Sequence, residues 1–166
     1  MDNMEKNLAV LYNELANKII KMIPTEWYKV YFLGEIAKNK NSWNSIFYYK
    51  ENEVDKKYIR QYEIRHKYNI PKNLYDKINW EIQEILLKVY DCFIDNGQEP
   101  WEQLSMSFDS SGKCNIDFDY KILSKSEYAQ IDREVIWAYN QFGYMPEVGT
   151  FSRKILDNYL KKIQIK

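Results

Sequence analysis

The sequence predicts an α+β fold, an antiparallel sheet of about five strands with helices packed on one face, in the order α-βββ-α-ββ-α-α. Three observations predict it. Apolar stripes at helical spacing alternate with short segments rich in β-branched and aromatic residues. Those short segments fall into two groups with turn signals between neighbours, and hairpins impose antiparallel pairing. Finally, 166 residues suit a single domain, 1–166, able to bury roughly 68–70% of its unfolded surface.

The opening segment reads as an amphipathic helix because Leu8, Leu11, Leu15, Ile19 and Met22 step by three or four residues. Pro24 stops it, since a proline disfavours helix in the residue before it. Residues 28–36 and 43–49 are aromatic and β-branched with the polar stretch 38–42 between them, which predicts a hairpin. Residues 58–64 read as a third strand, although Tyr58, Gln61 and Glu63 interrupt its alternation. Pro71 suits a first helical position, and Leu74, Ile78, Ile82, Ile85, Val89 and Cys92 form a long stripe ended by Asn96-Gly97. Leu86 and Phe93 widen that stripe, so this helix is expected to lie across the sheet.

Residues 104–108 and 115–120 both alternate, and Asp109-Ser-Ser-Gly-Lys113 between them predicts a turn with Gly112 at positive φ. Ser124-Lys-Ser-Glu127 fits a capping box, opening a helix whose stripe is Ile131, Val135, Ala138 and Phe142 and which stops at Gly143. Thr150 is expected to cap the last helix, lined by Ile155, Leu156, Tyr159, Leu160 and Ile163.

Composition excludes several function classes. No apolar run approaches the ~18–20 residues that span a bilayer, and the start lacks a signal peptide's apolar region. A cytoplasmic protein is expected. Lys and Arg number 24 and Asp and Glu number 24, so the basic excess of a nucleic-acid binder is missing. Cys92 and Cys114 are too few for a disulfide scaffold and are expected as buried free thiols. The single histidine, His66, sits in a run of cations and reads as surface. Phosphate-binding glycine loops, zinc spacings and nucleophile motifs are not found, so neither catalytic residues nor a cofactor are predicted. The nearest approach to an active site is Asp117 with Asp119, two apart on a strand and so on one face, where carboxylates can hold Mg²⁺. The same pattern is the exposed polar side of a strand whose other side carries Ile116, Phe118 and Tyr120.

Charge distribution says more than total charge. Residues 91–120 hold seven acids against Lys113, a balance of −6, and residues from Lys121 onward hold eight bases against five acids, a balance of +3. An acidic patch of that kind either solubilises the surface or steers a basic partner.

Asn96-Gly-Gln-Glu-Pro-Trp101, Leu104-Ser-Met-Ser-Phe-Asp-Ser-Ser-Gly-Lys113 and Ile116-Asp-Phe-Asp-Tyr120 closely resemble the YezG/EsaG family. Further pieces match at Tyr12–Ala16, Ile23–Trp27, Arg133–Tyr139 and Phe142–Glu147, so the resemblance runs over roughly residues 5–165. It implies a non-catalytic immunity protein (antitoxin) of Gram-positive bacteria. The partner it implies is the nuclease domain of a toxin exported by type VII secretion, and nucleic acid, membrane and cofactors play no direct part. The segment Ala37-Lys-Asn-Lys-Asn41 departs from the acid-rich stretch of that family and is expected to meet a different toxin surface. Glu99, Glu102, Asp109, Asp117 and Asp119 are the expected partner-binding residues, presenting phosphate-like charge to a basic nuclease cleft with exposed tyrosines as anchors. Trp27, Pro100, Trp101, Phe108 and Gly112 are read as serving the fold. Two other readings stay open: an interaction module without its own toxin, and a metal-dependent enzyme using Asp117 and Asp119.

Overall fold

The structure, a computed structural model, describes residues 2–165. The chain divides into two compact units, Met1–Ser124 and Lys125–Lys166.

In the first unit, helix α1 (Asn3–Met22) starts from a capping box: Asp2 Oδ1 accepts the Glu5 N–H at 2.8 Å and the Glu5 carboxylate accepts the Asp2 N–H at 3.2 Å. Strands β1 (Lys29–Ile36) and β2 (Trp43–Lys50) pair antiparallel from Lys29↔Lys50 to Ile36↔Trp43. A 3₁₀ turn at Lys38–Lys40 joins them, with Asn39 at φ 64°. Strand β3 (Ile59–Arg60) adds only two residues to β2 and runs directly into helix α2 (Gln61–Lys67). Helix α3 (Lys72–Asp95) follows, with Pro71 as its N-cap residue, one position earlier than its sequence suggested. At its end Gly97 N–H donates to the Ile94 carbonyl and Gln98 N–H to the Phe93 carbonyl, closing a Schellman motif with Gly97 at φ 68°. Strands β4 (Gln103–Asp109) and β5 (Cys114–Asp119) form the second hairpin, and the one-turn helix α4 (Ile122–Lys125) comes next.

The sheet order is β3-β2-β1-β4-β5, antiparallel throughout. Helices α1 and α3 pack on each other and cover one face of it. Register assigns that face Val30, Phe32 and Ile36 of β1, Phe47 and Tyr49 of β2, and Leu104, Met106 and Phe108 of β4. Leu15, Ile19, Ile82, Leu86 and Val89 meet them from the helices, each such burial stabilising by ~1.5–3 kcal/mol. A Cβ on Gly34 would lie 2.6 Å from Leu86 Cδ1, so α3 can sit this close to β1 only because no side chain stands there.

The expected strand over 58–64 ends after Arg60. In continued register Gln61 would oppose Phe47, but the Gln61 side chain does that work instead. Its Oε1 accepts the Phe47 N–H at 3.2 Å, its Nε2 donates to Asn79 Oδ1 at 2.8 Å, and the residue is 1% exposed. The chain then turns helical, with the Glu63 carboxylate accepting the Arg60 N–H at 2.8 Å and Arg65, His66 and Lys67 in the last turn, where cations suit the helix dipole.

In the second unit, helices α5 (Gln130–Phe142) and α6 (Phe151–Ile165) form a hairpin. Gly143 closes α5 at φ 72°, as its position in the sequence predicts, and the Thr150 hydroxyl accepts the Arg153 N–H at the start of α6. Tyr128 packs edge-on against Tyr159, and Arg153 reaches back to the Pro146 carbonyl at 3.1 Å. The capping box at Ser124–Glu127 is not formed. The cap of helix α5 lies five residues later, at Ala129, whose N–H the Asp132 carboxylate accepts, and Ser124 is drawn to Glu102.

Candidate protein-docking face

The five expected partner-binding carboxylates separate into distinct structural roles. Glu102 is 1% exposed and points inward. One of its oxygens accepts the N–H groups of Leu123 (2.7 Å) and Ser124 (2.9 Å), while the other accepts the Ser124 hydroxyl (2.7 Å) and lies 3.8 Å from Lys38 Nζ. Burial by itself would raise this carboxyl, but the hydrogen bonds from Ser124 and Leu123 and the Lys38 charge outweigh it and hold it below the usual carboxylate range. Glu102 therefore fastens the chain after β5 to the start of β4, and it leaves the docking set. Among seven acids in a short stretch, charge counting alone could not distinguish it.

Asp109 ends β4 and serves the turn. Its Oδ1 accepts the Ser111 N–H (2.9 Å), the Ser111 hydroxyl (2.6 Å) and the Lys113 N–H (3.1 Å), while Gly112 sits at φ 92°. The Ser111 hydroxyl bond, followed by the backbone donors, keeps its carboxyl below the ordinary value. Half-buried and opposite Lys29 of β1, Asp109 can contribute charge to a docking surface only after satisfying that turn.

Asp117 and Asp119 are exposed on β5, opposite Ser105 and Gln103 of β4. They share the sheet face turned away from α1 and α3, as does Asp109 at the hairpin end, about 13 Å from Asp117 at ~3.3 Å per residue. Asp119 also accepts the Lys121 N–H at 2.9 Å. Glu99 is exposed in the loop before β4, near the Asp119 end of the hairpin. The structure thus brings together Asp109, Asp117 and Asp119 along one surface and leaves Glu99 at its end. Among the described residues no group of three or more His, Cys, Asp or Glu side chains stands ready for a metal ion.

The tyrosines gather elsewhere on the sheet. Tyr31 and Tyr58 meet edge-on at 5.8 Å, Lys29 lies over the Tyr31 ring, and Lys50 lies over Tyr28 and Tyr58. Burial, with the Tyr31 neighbour, pushes the Tyr58 hydroxyl up to about 12.

A groove between α1 and the β4–β5 hairpin was missed by sequence reasoning. It encloses about 650 Å³ and is lined by Tyr12, Ala16, Trp27, Phe108, Cys114 and Ile116. Trp27 meets Phe108 edge-on at 5.4 Å, and both rings line it. Burial pushes the Tyr12 hydroxyl up to about 12. The cysteines also depart from expectation: both are free, Cys92 is half-buried and Cys114 is exposed. Cys114 carries core-face parity on an outermost strand that the helices cover only in part. The signal available was position: Cys114 is the first residue after the Asp109–Lys113 turn, at the end of the outermost strand, where fewer neighbours can cover it.

No helix among the described residues is long and apolar enough to cross a membrane. The chain is 30% identical over 164 residues to the type VII secretion system protein EsaG of Staphylococcus aureus, covering 96% of this chain and 98% of that protein. It is 29% identical over 151 residues to the immunity protein YezG of Bacillus spizizenii, covering 91% of each. The immunity protein YezG of Bacillus subtilis is 27% identical over 137 residues, 82% of this chain and 89% of that one. The model of the YezG-like immunity protein family matches residues 8–156, which takes in most of α1, the whole sheet and most of the helical hairpin; the chain belongs to that family.

Proposed function

We propose that this chain is a cytoplasmic immunity protein that binds the nuclease domain of a type VII-secreted toxin directly and blocks it without catalysis or a cofactor, acting as a single functional domain over residues 1–166. The observation that carries the reading is the open acidic surface of the second hairpin in a chain of this family. Asp117 and Asp119 are exposed there, and among the described residues Asp117 forms no ion pair. Such a surface suits the basic cleft of a nuclease, which is built to hold phosphates. Asp109 and Glu99 extend the surface at its two ends. The name of the Staphylococcus aureus relative supports the link to type VII secretion.

The test uses the nuclease domain of a type VII-exported toxin from the same genome as this gene. Adding the protein to a DNA-cleavage assay should abolish cleavage at a one-to-one molar ratio, with the two chains co-eluting on a sizing column. Full cleavage and separate elution, with both chains folded by circular dichroism, would refute the reading.

A further inference from the structure

The outermost strand is open in three ways at once. First, β5 is laddered only to β4 and ends the sheet. The Asp109 N–H donates to the Lys113 carbonyl at 3.0 Å, so this pair is hydrogen-bonded, and Ser107/Asn115 and Ser105/Asp117 are bonded in alternation with it. The N–H and C=O groups of Cys114, Ile116 and Phe118 then point to the open side. Second, the Asn115, Asp117 and Asp119 side chains stand exposed on one face of the strand. Third, the Cys114 and Ile116 side chains on the other face border the groove beside α1, and Phe118, stacked on Phe93 and Trp101, is half-buried.

We propose that β5 is a docking strand that takes up one extended segment of the toxin as a sixth strand of the sheet. The inference rests on the immunity reading above and names how the partner is held. The segment that fits alternates: basic side chains face Asp117 and Asp119, and apolar side chains drop into the groove against Ile116, Cys114 and Tyr12. Main-chain hydrogen bonds supply the attachment, and the alternate side chains supply selectivity. A second copy of this chain is the other occupant an open edge invites. Antiparallel pairing of two β5 strands would set the Asp117 and Asp119 carboxylates of both copies on the same face, ~4.5–5.5 Å apart at Cβ, and like charges directly opposite oppose pairing. The carboxylates that keep copies apart are therefore the ones that select a basic partner.

Hydrogen exchange resolved to single amides tests this with the toxin nuclease domain as probe. In the free protein the amides of Ile116 and Phe118 should exchange quickly and that of Asp117, bonded to β4, slowly. In the complex the Ile116 and Phe118 amides should slow by at least tenfold while Asp117 changes little. Ile116→Pro removes one outward donor, a change an edge strand tolerates, and should weaken inhibition at least tenfold. Where that variant fails to fold, Asp117→Lys with Asp119→Lys leaves the backbone intact and should weaken it comparably. A stable inhibitory complex with outward amides still fast would overturn strand addition and leave the immunity reading standing. No complex at all would overturn both. Amide protection rising with the concentration of the free protein would assign the edge to a second copy and overturn the proposal.

Discussion

Glu102 shows how one residue's environment reverses what its charge suggests. Its carboxylate is fully enclosed and meets three donors from Leu123 and Ser124. Hydrogen bonds to a charged group contribute ~1.5–3 kcal/mol each, and stranding buried donors costs the same order. Glu102→Ala should destabilise the fold by about 3 kcal/mol, measured by urea denaturation at pH 7. The folded-state pKa lies below the unfolded value of ~4.3, so the contribution is complete at neutral pH and disappears as pH falls from that value through the lower folded one. The gap between wild type and Glu102→Gln should therefore narrow on acidification, and a gap that widens would contradict the role. Gly34 makes a steric point at the same scale. Gly34→Ala forces a methyl against the enclosed Leu86 and should cost about 1–3 kcal/mol. Combining it with Leu86→Ala should give a double-mutant cycle with favourable coupling, since the shortened side chain makes room for the methyl and the methyl fills part of the space left.

Among the elements, β3 and α2 illustrate competition between two local preferences. Tyr58, Ile59 and Ile64 favour a strand by composition, yet Gln61 and Ile64 are three apart and both buried, which is helical spacing. The side-chain amide of Gln61 decides it, because it satisfies the Phe47 N–H that the abandoned strand would have bonded. Gln61→Leu keeps the volume but leaves that buried N–H unpaired, for an expected loss of ~1–3 kcal/mol. Amide exchange at Phe47 should quicken more than at Ile46, and equal change at both would count against this account. The second hairpin was legible in its two alternating strands and its Gly112 turn, which follow from local sequence, whereas the exposure of Cys114 was not. The Ser124–Glu127 box was misread because a capping hydroxyl takes whichever partner folding brings nearest, and folding brings Glu102.

For the whole molecule, zero formal charge hides a sorted distribution. The −6 balance of residues 91–120 is partly consumed inside the protein: Glu102 by backbone donors, Asp91 by Lys40 at 2.8 Å, and Asp109 by its turn. Asp95, Glu99, Asp117 and Asp119 are left exposed, and of these Asp117 and Asp119 stand on the strand itself. Asp117→Lys with Asp119→Lys should slow association with the toxin domain most at low salt and little near 1 M, where the screening length shrinks from ~10 Å at 0.1 M to ~3 Å. Stopped-flow mixing across that salt range checks it, and an association rate indifferent to both the mutation and salt would remove these residues from the interface.

By itself the sequence determined the class of fold, the order of its elements, the turns at Gly97, Gly112 and Gly143, and the family resemblance. All of these depend on periodicity and on backbone preferences that act within a few residues. The tertiary structure decided which acids face outward, where the third strand stops, and that the last strand stands with both an open edge and an only partly covered apolar side. Those outcomes depend on which groups distant in sequence arrive within hydrogen-bonding or packing distance. Glu102 and Asp117 look alike in the sequence, and only the arrival of Leu123 and Ser124 beside one of them makes the first a clasp and leaves the second a surface charge.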